Sequence, residues 1–436
     1  MIDLYEAGDY AQGITLAEKW VKQQNVSRQE DIYPLVYYYI AYGYQNLHRK
    51  ENTEQANCYM TMYVTLGENA AADGCFPHRT EDYIVLKSLA EEYHLAMAYY
   101  YLGCLLYDRR VYDESIEDYE ESILRSPDFP TVHRNLALAY YNVKKLPQRA
   151  YEEMEKAFAL DETDARVYLE LDQLKKRLNV AVKERWSDME KHFDLVESRD
   201  DLYLEYVTLL NTLGEPEKAL GLIKARKFHQ WEGGEGKVAA QYLTALYQLA
   251  KAAVEKEDYA EAKELLLRAV GEYPHNLGEG KLESGQENNL YYLLGLVQEK
   301  LGETEDTLDC LTKACHGESE PVGMMYYNDQ PPEMIYYQGL AYRKLGDEEQ
   351  AVQRFCKLVD YGKEHIDDEI RIDYFAVSLP DLLIFEENLN ERNRKHCLFM
   401  MSLGLRGLGQ TDEAKACAEE LLSMDNAHQG IRVHDL

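Results

Sequence analysis

The sequence predicts an all-α solenoid, a row of antiparallel helix hairpins stacked side by side. Three observations predict it: small residues recurring at a fixed interval, a composition suited to long helices, and a length that one compact core fits poorly. The chain has 436 residues, 46% of them hydrophobic, which suits two or more domains or a repeat array. Only 11 prolines and 26 glycines interrupt it, and the frequent residues, Ala, Leu, Glu and Lys among them, favour helices. Tyrosine is the anomaly, 37 against 9 Phe and 3 Trp. Most aromatic surface therefore carries a hydroxyl that needs a partner.

The repeating unit is clearest in "AMAYYYLGCLLYDRRVYDESIEDYEESILRSPDF", residues 96–129. Numbered as a unit of 34 residues, it has Gly103 at position 8, Tyr112 at 17, Ser115 at 20, Tyr119 at 24, Ser122 at 27 and Pro127 at 32. Small residues at 8, 20 and 27 let two antiparallel helices approach closely. The aromatic at 24 fills the gap to the next hairpin, and the proline stops the second helix. This pattern resembles the tetratricopeptide repeat.

The pattern returns at residues 130–164 (Ala137, Tyr140, Ala150, Met154, Ala157) and at 243–276 (Ala250, Tyr259, Ala262, Leu266, Ala269, Pro274). It returns again at 288–317 (Gly295, Gly302, Leu311, Ala314), 332–361 (Gly339, Tyr342, Gly346, Ala351, Phe355) and 395–426 (Gly409, Ala414, Ala418). Weaker copies lie at 30–66, 165–197 and 200–226. A lone hairpin cannot bury its apolar face, so neighbours must stack, and a right-handed superhelix with a concave inner wall is expected. Tyr99, Tyr100, Tyr101, Tyr291, Tyr292, Tyr336 and Tyr337 flank that wall. Adjacent helical residues point about 100° apart, so part of each tyrosine run must pack in the core.

The organisation read along the chain runs as follows. Residues 1–66 form divergent helical repeats, 67–95 a connector and 96–226 a block of repeats. A Gly-rich loop covers 227–242, repeats cover 243–317 and a loop covers 318–331. The last repeats span 332–426, with an inserted segment at 362–394 and a tail at 427–436. Gly8-Asp9-Tyr10 matches the turn between the two helices of a hairpin, so the chain is expected to begin partway through a repeat, either as a piece of a longer protein or from a start site placed too late. The closing "IRVHDL" reads as a short terminal tail.

The formal charge is −32, from 79 acidic and 47 basic residues. Neutralising phosphates needs clustered Lys and Arg, so nucleic acid is excluded as a partner, and an anionic membrane surface is disfavoured for the same reason. The acids either solvate the outer helix faces or line a groove for a cationic ligand. The eight cysteines include no CxxC pair and mostly sit among apolar residues, which suits free thiols in a reducing cytoplasm. No basic-then-apolar leader opens the chain, and no apolar run reaches the roughly 18 residues that a membrane span requires. His78, His229 and His316 show no HxxxH or HExxH spacing, so no metal or other cofactor is expected.

Five stretches break the repeat: 73–82, 227–238, 275–285, 324–337 and 371–381. Function on a solenoid often sits at such interruptions. They combine Gly, Pro or Asn with carboxylates and aromatics, side chains that stack on and hydrogen-bond sugar rings. The candidate binding residues are Trp231, Glu232, Glu235, Lys237, Glu279, Tyr326, Tyr327, Asn328, Asp329, Arg371 and Asp373. "WEGGEGKV" lacks the spacing of a phosphate loop and follows no strand. Glu232, Glu235, Glu279 and Asp329 could supply a carboxylate pair for glycoside hydrolysis, but the sequence gives no separations and no catalytic residue is assigned. The plain alternative is that all five are connectors folded back on the array.

The interruptions also carry a more specific resemblance. "CFPHR", "FPTVHRNLALAYYN", "RDDLYLEYVTLLNTLGEPEKAL", "KFHQWEGGEGKV", "NLGEGKL", "YYNDQPPEMIYYQGLA" and "RIDYFAVSLPD" occur in an order similar to the C-terminal region of a family of large bacterial proteins. In that family a domain of unknown function, similar to the galactose-mutarotase type of β-sandwich, precedes a tetratricopeptide array. The match runs from about residue 73 to 430. The resemblance implies a cytoplasmic bacterial protein linked to carbohydrate metabolism, and this sequence departs from it by lacking the β-sandwich half. The expected function is a non-catalytic scaffold for a protein or peptide partner, or for that N-terminal domain. The alternative is a carbohydrate-binding or carbohydrate-processing protein whose interruptions meet in one pocket.

Overall fold

The computed structural model describes residues 1–24, 28–51, 54–231, 233–281, 285–323, 329–371 and 384–434. Among the described residues the fold is all-α, with twenty-three α-helices, two short 3-10 turns and no strand. It is a tetratricopeptide-type α-solenoid. The chain divides into two compact units, Met1–Val167 and Tyr168–Leu436.

In the first unit, α1 (Ile2–Glu6) and α2 (Tyr10–Gln23) form the opening hairpin, followed by α3 (Pro34–Glu51) with α4 (Glu54–Asn69). A single helix, α5 (Thr80–Tyr93), comes next, then the hairpins α6 (Ala96–Asp108) with α7 (Tyr112–Arg125) and α8 (Pro130–Asn142) with α9 (Pro147–Leu160). The unit boundary falls within α10 (Ala165–Arg177), which precedes α11 (Val182–Lys191) and the short α12 (Phe193–Ser198). The second unit continues with α13 (Asp200–Thr212) and α14 (Pro216–Ala225), then α15 (Lys237–Glu255) and α16 (Tyr259–Val270). Three more hairpins follow: α17 (Asn288–Leu301) with α18 (Thr304–Cys315), α19 (Pro332–Lys344) with α20 (Glu348–His365), and α21 (Leu389–Gly407) with α22 (Thr411–Met424). A last short helix is α23 (Gln429–Val433).

The hairpin turns share one backbone device. In nine of them one residue is left-handed: Gly8, Arg110, Lys145, Asn179, Gly214, Glu257, Gly302, Gly346 and Gly409. That conformation reverses the chain within a few residues, and glycine adopts it without a Cβ penalty. The expected turn at Gly8-Asp9-Tyr10 is present, with the Asp9 carboxylate accepting from the Gln12 N–H at 3.1 Å. Asp258 and Asp347 cap α16 and α20 in the same way. Pro331 and Pro332 open α19, with Pro332 in its first turn.

The small-residue positions act where the sequence put them. A Cβ on Gly103 would lie 2.5 Å from the Tyr119 ring, so position 8 must stay bare for the aromatic at 24. Ser115, at position 20, donates its hydroxyl to the Gly103 carbonyl at 2.7 Å. Phe355 repeats the arrangement: its ring covers Gly339 of its own hairpin and Gly407 of the next. Phe355 is fully buried, and burying a side chain of that size contributes about 2–3 kcal/mol. The tyrosine runs are mostly packing surface. Tyr99, Tyr100, Tyr101, Tyr336 and Tyr337 are buried, whereas Tyr291 and Tyr292 are half-buried.

At the start of the second unit an ionic cluster lies inside the stack. Arg185 on α11 donates Nε and Nη2 to Asp172 on α10 at 3.0 and 2.6 Å, and Nη2 also reaches Glu205 on α13 at 2.7 Å. Lys176 completes the cluster at 3.2 Å from Glu205. Burial works against the ionised Glu205, but Lys176 and Arg185 outweigh it and pull its carboxyl down to about 2.

Two stretches hold more helix than the sequence reading gave them. Residues 67–95, expected as a connector, contain α5, whose Val85, Leu86, Leu89 and Ala90 are buried at helical spacing. Residues 427–436, expected as a tail, contain α23, with Ile431 and Val433 buried.

Candidate functional site

Two places in the second unit gather side chains that could hold a ligand: a pocket between interrupting loops, and the face formed by the first helices of its hairpins.

The pocket is about 350 Å³ and is lined by His229, Gln230, Trp231, Gly234, Glu235, Val238, Leu277 and Glu279. The loops 227–238 and 275–281 are joined by the Phe228 N–H donating to the Asn276 carbonyl at 2.8 Å. The Asn276 side chain donates to the carbonyls of Ile223 and Arg226. Asp200 anchors the entrance by accepting from the His229 N–H at 2.9 Å and from Arg226 at 2.5 Å. Burial opposes the ionised Asp200, yet the His229 N–H and the Arg226 guanidinium hold its carboxyl below the usual range. The Trp231 indole lies against Gly234, where any Cβ would overlap it.

Of the residues singled out from sequence, Trp231, Glu235 and Glu279 meet in this pocket. Glu279 also caps a helix. Its carboxylate accepts from the backbone N–H groups of Gly236 and Ala239 at 2.7 and 2.8 Å, which satisfies two of the four N–H groups left open at the start of α15. Both oxygens are therefore engaged, while Glu235 and Lys237 are exposed. Asp329 acts electrostatically on Tyr361 and His396, on α20 and α21, and does not line the pocket. Arg371 is 80% exposed and pairs with Glu369 at 2.9 Å. Glu232, Tyr326, Tyr327, Asn328 and Asp373 lie outside the described residues. The interruption at 73–82 belongs to the first unit, where Asp82 accepts from the N–H groups of His78 and Arg79 to start α5.

The second place was not singled out from sequence. Residues 425–434 run across the first helices of the hairpins in the second unit. Asn426 donates its side chain to the Asn179 and Val180 carbonyls at the α10–α11 turn, and its N–H donates to Asn179 Oδ1 at 2.8 Å. Gln429 donates to the Thr208 carbonyl of α13 at 3.1 Å and exchanges hydrogen bonds with Gln241 of α15. Lys251 of α15 donates to the Val433 carbonyl at 2.9 Å. Tyr337 of α19 bridges His434 Nδ1 at 2.9 Å and the Tyr247 hydroxyl at 2.7 Å. Gly430 lies against the Phe399 ring of α21, where a Cβ would come within 2.5 Å. Arg177, meanwhile, donates to the Phe385 and Glu386 carbonyls. The weak signal in the sequence was the run of amides and imidazoles in "NAHQGIRVH", facing Asn211, Gln241 and Gln248 at positions that apolar residues usually fill.

Among the described residues no group of three or more His, Cys, Asp or Glu side chains could hold a metal ion. No described helix is long and apolar enough to cross a membrane. All eight cysteines are free, and burial pushes the Cys75 thiol up to about 11, which leaves it protonated and unreactive.

Three family models, each described as tetratricopeptide repeat, match residues 100–165, 244–276 with 333–361, and 396–428. Among solved structures the chain is similar to YrrB, "a TPR protein with an unusual peptide-binding site", at 18% identity over 42% of this chain and 90% of that one, with a TM-score of 0.32. It is also similar to PilF of Pseudomonas aeruginosa, at 14% identity over 63% and 93% with a TM-score of 0.20. A chain of Naa15/Naa10 bound to HypK-THB gives 12% identity, a TM-score of 0.31, and covers all of this chain but 59% of its own length. This chain therefore carries tetratricopeptide repeats in both of its units.

Proposed function

We propose that this chain is a scaffold whose first-helix face in the second unit recognises a protein partner through a short peptide segment. The observation that carries this reading is residues 425–434: a polypeptide stretch already lies on that face. Two wall side chains hold it through its backbone: Lys251 donates to the Val433 carbonyl and Asn179 accepts from the Asn426 N–H. Side chains that bind backbone rather than side-chain groups suit recognition of peptides in general. A phage-displayed peptide library selected against the full chain tests the proposal. Peptides are expected to enrich and to lose at least tenfold in affinity on Lys251→Ala. Enrichment no better than on a helical control protein, or binding indifferent to Lys251→Ala, would refute it.

A second reading is supported by the loop pocket, in which a half-buried Trp231 and an exposed Glu235 line about 350 Å³. Such a pocket is of a size for one sugar unit, which agrees with the link to bacterial carbohydrate metabolism that the ordered motifs imply. The family resemblance further offers a galactose-mutarotase-type β-sandwich as the protein partner, and a cytoplasmic setting agrees with eight free thiols. A thermal-shift panel of monosaccharides separates this reading: a rise in melting temperature abolished by Trp231→Ala supports it, and uniform silence removes it.

A further inference from the structure

The segment 425–434 has the features of a ligand more than those of a core element. Its helix, α23, has five residues, far fewer than the 12 or so that an isolated helix needs, so its conformation depends on the wall. It touches four hairpins and the α10–α11 turn, and most of its polar ties are side chain to backbone. Two apolar side chains, Ile431 and Val433, are buried, and Gly430 permits the close approach to Phe399.

The wall beneath it is under-satisfied. Asn211 Oδ1 and Gln248 Oε1 are buried acceptors with no hydrogen-bond donor among the described residues, and Asn211 is fully buried. Asn211 and Gln248 belong to the same amide network that holds Gln429, since Asn211 donates to Gln241 and Gln248 donates to the Asn211 carbonyl. Buried acceptors left unpaired weaken the docked state. A chain that brought further donors to these atoms would bind more tightly than the segment now seated there.

We propose that residues 425–434 are a detachable internal ligand that shields the peptide-binding wall of the second unit. The partner is a short peptide of related chemistry: two β-branched apolar residues spaced as Ile431 and Val433 are, preceded by a side-chain amide that engages Asn211, Gln241 and Gln248. This rests on the scaffold reading given above and adds the identity of the competitor. Binding in trans is then gated, because a partner must displace the segment and its affinity is multiplied by the small fraction of molecules with the wall uncovered.

Two measurements on the full chain test it. In wild-type protein, hydrogen exchange across 425–434 is expected to proceed through local opening, roughly 100-fold faster than in α15 and α19. Exchange at the same rate as those helices would make the segment part of the core and overturn the inference, leaving the scaffold reading intact. Second, a fluorescein-labelled DNAHQGIRVH peptide is expected to bind Gly430→Val, in which the new side chain pushes the segment off Phe399, at least tenfold more tightly than wild type. Equal binding to both proteins overturns the inference by putting the peptide elsewhere. No binding to a Gly430→Val protein of unchanged helix content overturns the inference together with the observation that carries the scaffold reading. Should Gly430→Val lose helix content, Val433→Ala takes its place, and the wild-type exchange result stands regardless.

Discussion

Arg185→Met is the sharpest test of how the second unit begins. The Arg185 and Asp172 side chains are 1% and 5% exposed, so neither carboxylate nor guanidinium can turn to water. Removing the guanidinium deletes a bidentate pair to Asp172 and one bond to Glu205. The two acids do not suffer equally. Glu205 keeps Lys176 at 3.2 Å, whereas the hydrogen bonds to Asp172 come from Arg185. The variant therefore leaves one uncompensated buried carboxylate, for which a loss of about 3–4 kcal/mol is expected. Burial already raises the Asp172 carboxyl and Arg185 holds it back, so the variant raises it further. A folded-state value above the unfolded one means that the loss grows as pH rises through that value and shrinks as pH falls toward 4. Urea unfolding followed by circular dichroism, with hydrogen exchange of α10, α11 and α13, measures it at pH 7 and pH 4.5. The double variant Arg185→Met, Asp172→Leu should recover all but about 1 kcal/mol, because replacing both partners leaves no buried charge at that pair. A single-variant loss below about 1 kcal/mol, or a double variant no better than the single, would refute the argument.

Other outcomes follow from the same geometry. Gly339→Ala should cost about 1–3 kcal/mol, since its Cβ would sit 2.5 Å from the Phe355 ring; a melting temperature equal to wild type would contradict it. Glu257→Gly should stabilise by about 0.5–1 kcal/mol, because Glu257 holds φ +60 at a turn where glycine is unstrained; thermal denaturation reads the shift, and a decrease would argue against strain there. Glu279→Ala should cost about 1 kcal/mol by opening the start of α15, visible as faster exchange of Gly236 and Ala239. His428, set edge-on to Phe399 and accepting from the Ile431 N–H, has its imidazole held below the usual range by burial, with Asp425 opposing and Lys395 reinforcing; His396 stands nearby on α21. A depressed folded value means that docking is strongest above about pH 6.5 and is lost as pH falls through that value, so exchange across 425–434, corrected for intrinsic rate, should accelerate between pH 7.5 and 5. Pace unchanged over that range would exclude His428 as the cause.

The hairpins were legible in the sequence because their packing is local and periodic. Gly103 with Tyr119, and Gly339 with Phe355, stand sixteen residues apart within single hairpins, so a fixed spacing records the contact directly. The turn at Gly8-Asp9 was legible for the same reason, since capping and φ are set by neighbouring residues. Helix α5 was legible too, through Val85, Leu86, Leu89 and Ala90, but the tetratricopeptide frame has no place for an unpaired helix and its segment passed for a connector. In the loop pocket the sequence named Trp231, Glu235 and Glu279 together. It could not tell that Glu279 spends both oxygens on α15, because that depends on two loops forty residues apart meeting.

What the sequence by itself determined is the element type, the hairpin pairing and the tight interface at positions 8 and 24. The tertiary structure alone decided where one unit ends and the next begins, and which polypeptide lies on the first-helix face of the second. Lys251 meets Val433 across 182 residues, and Asn179 meets Asn426 across 247. A small rotation added at each hairpin fixes where such distant residues meet, and no spacing in the chain encodes that sum.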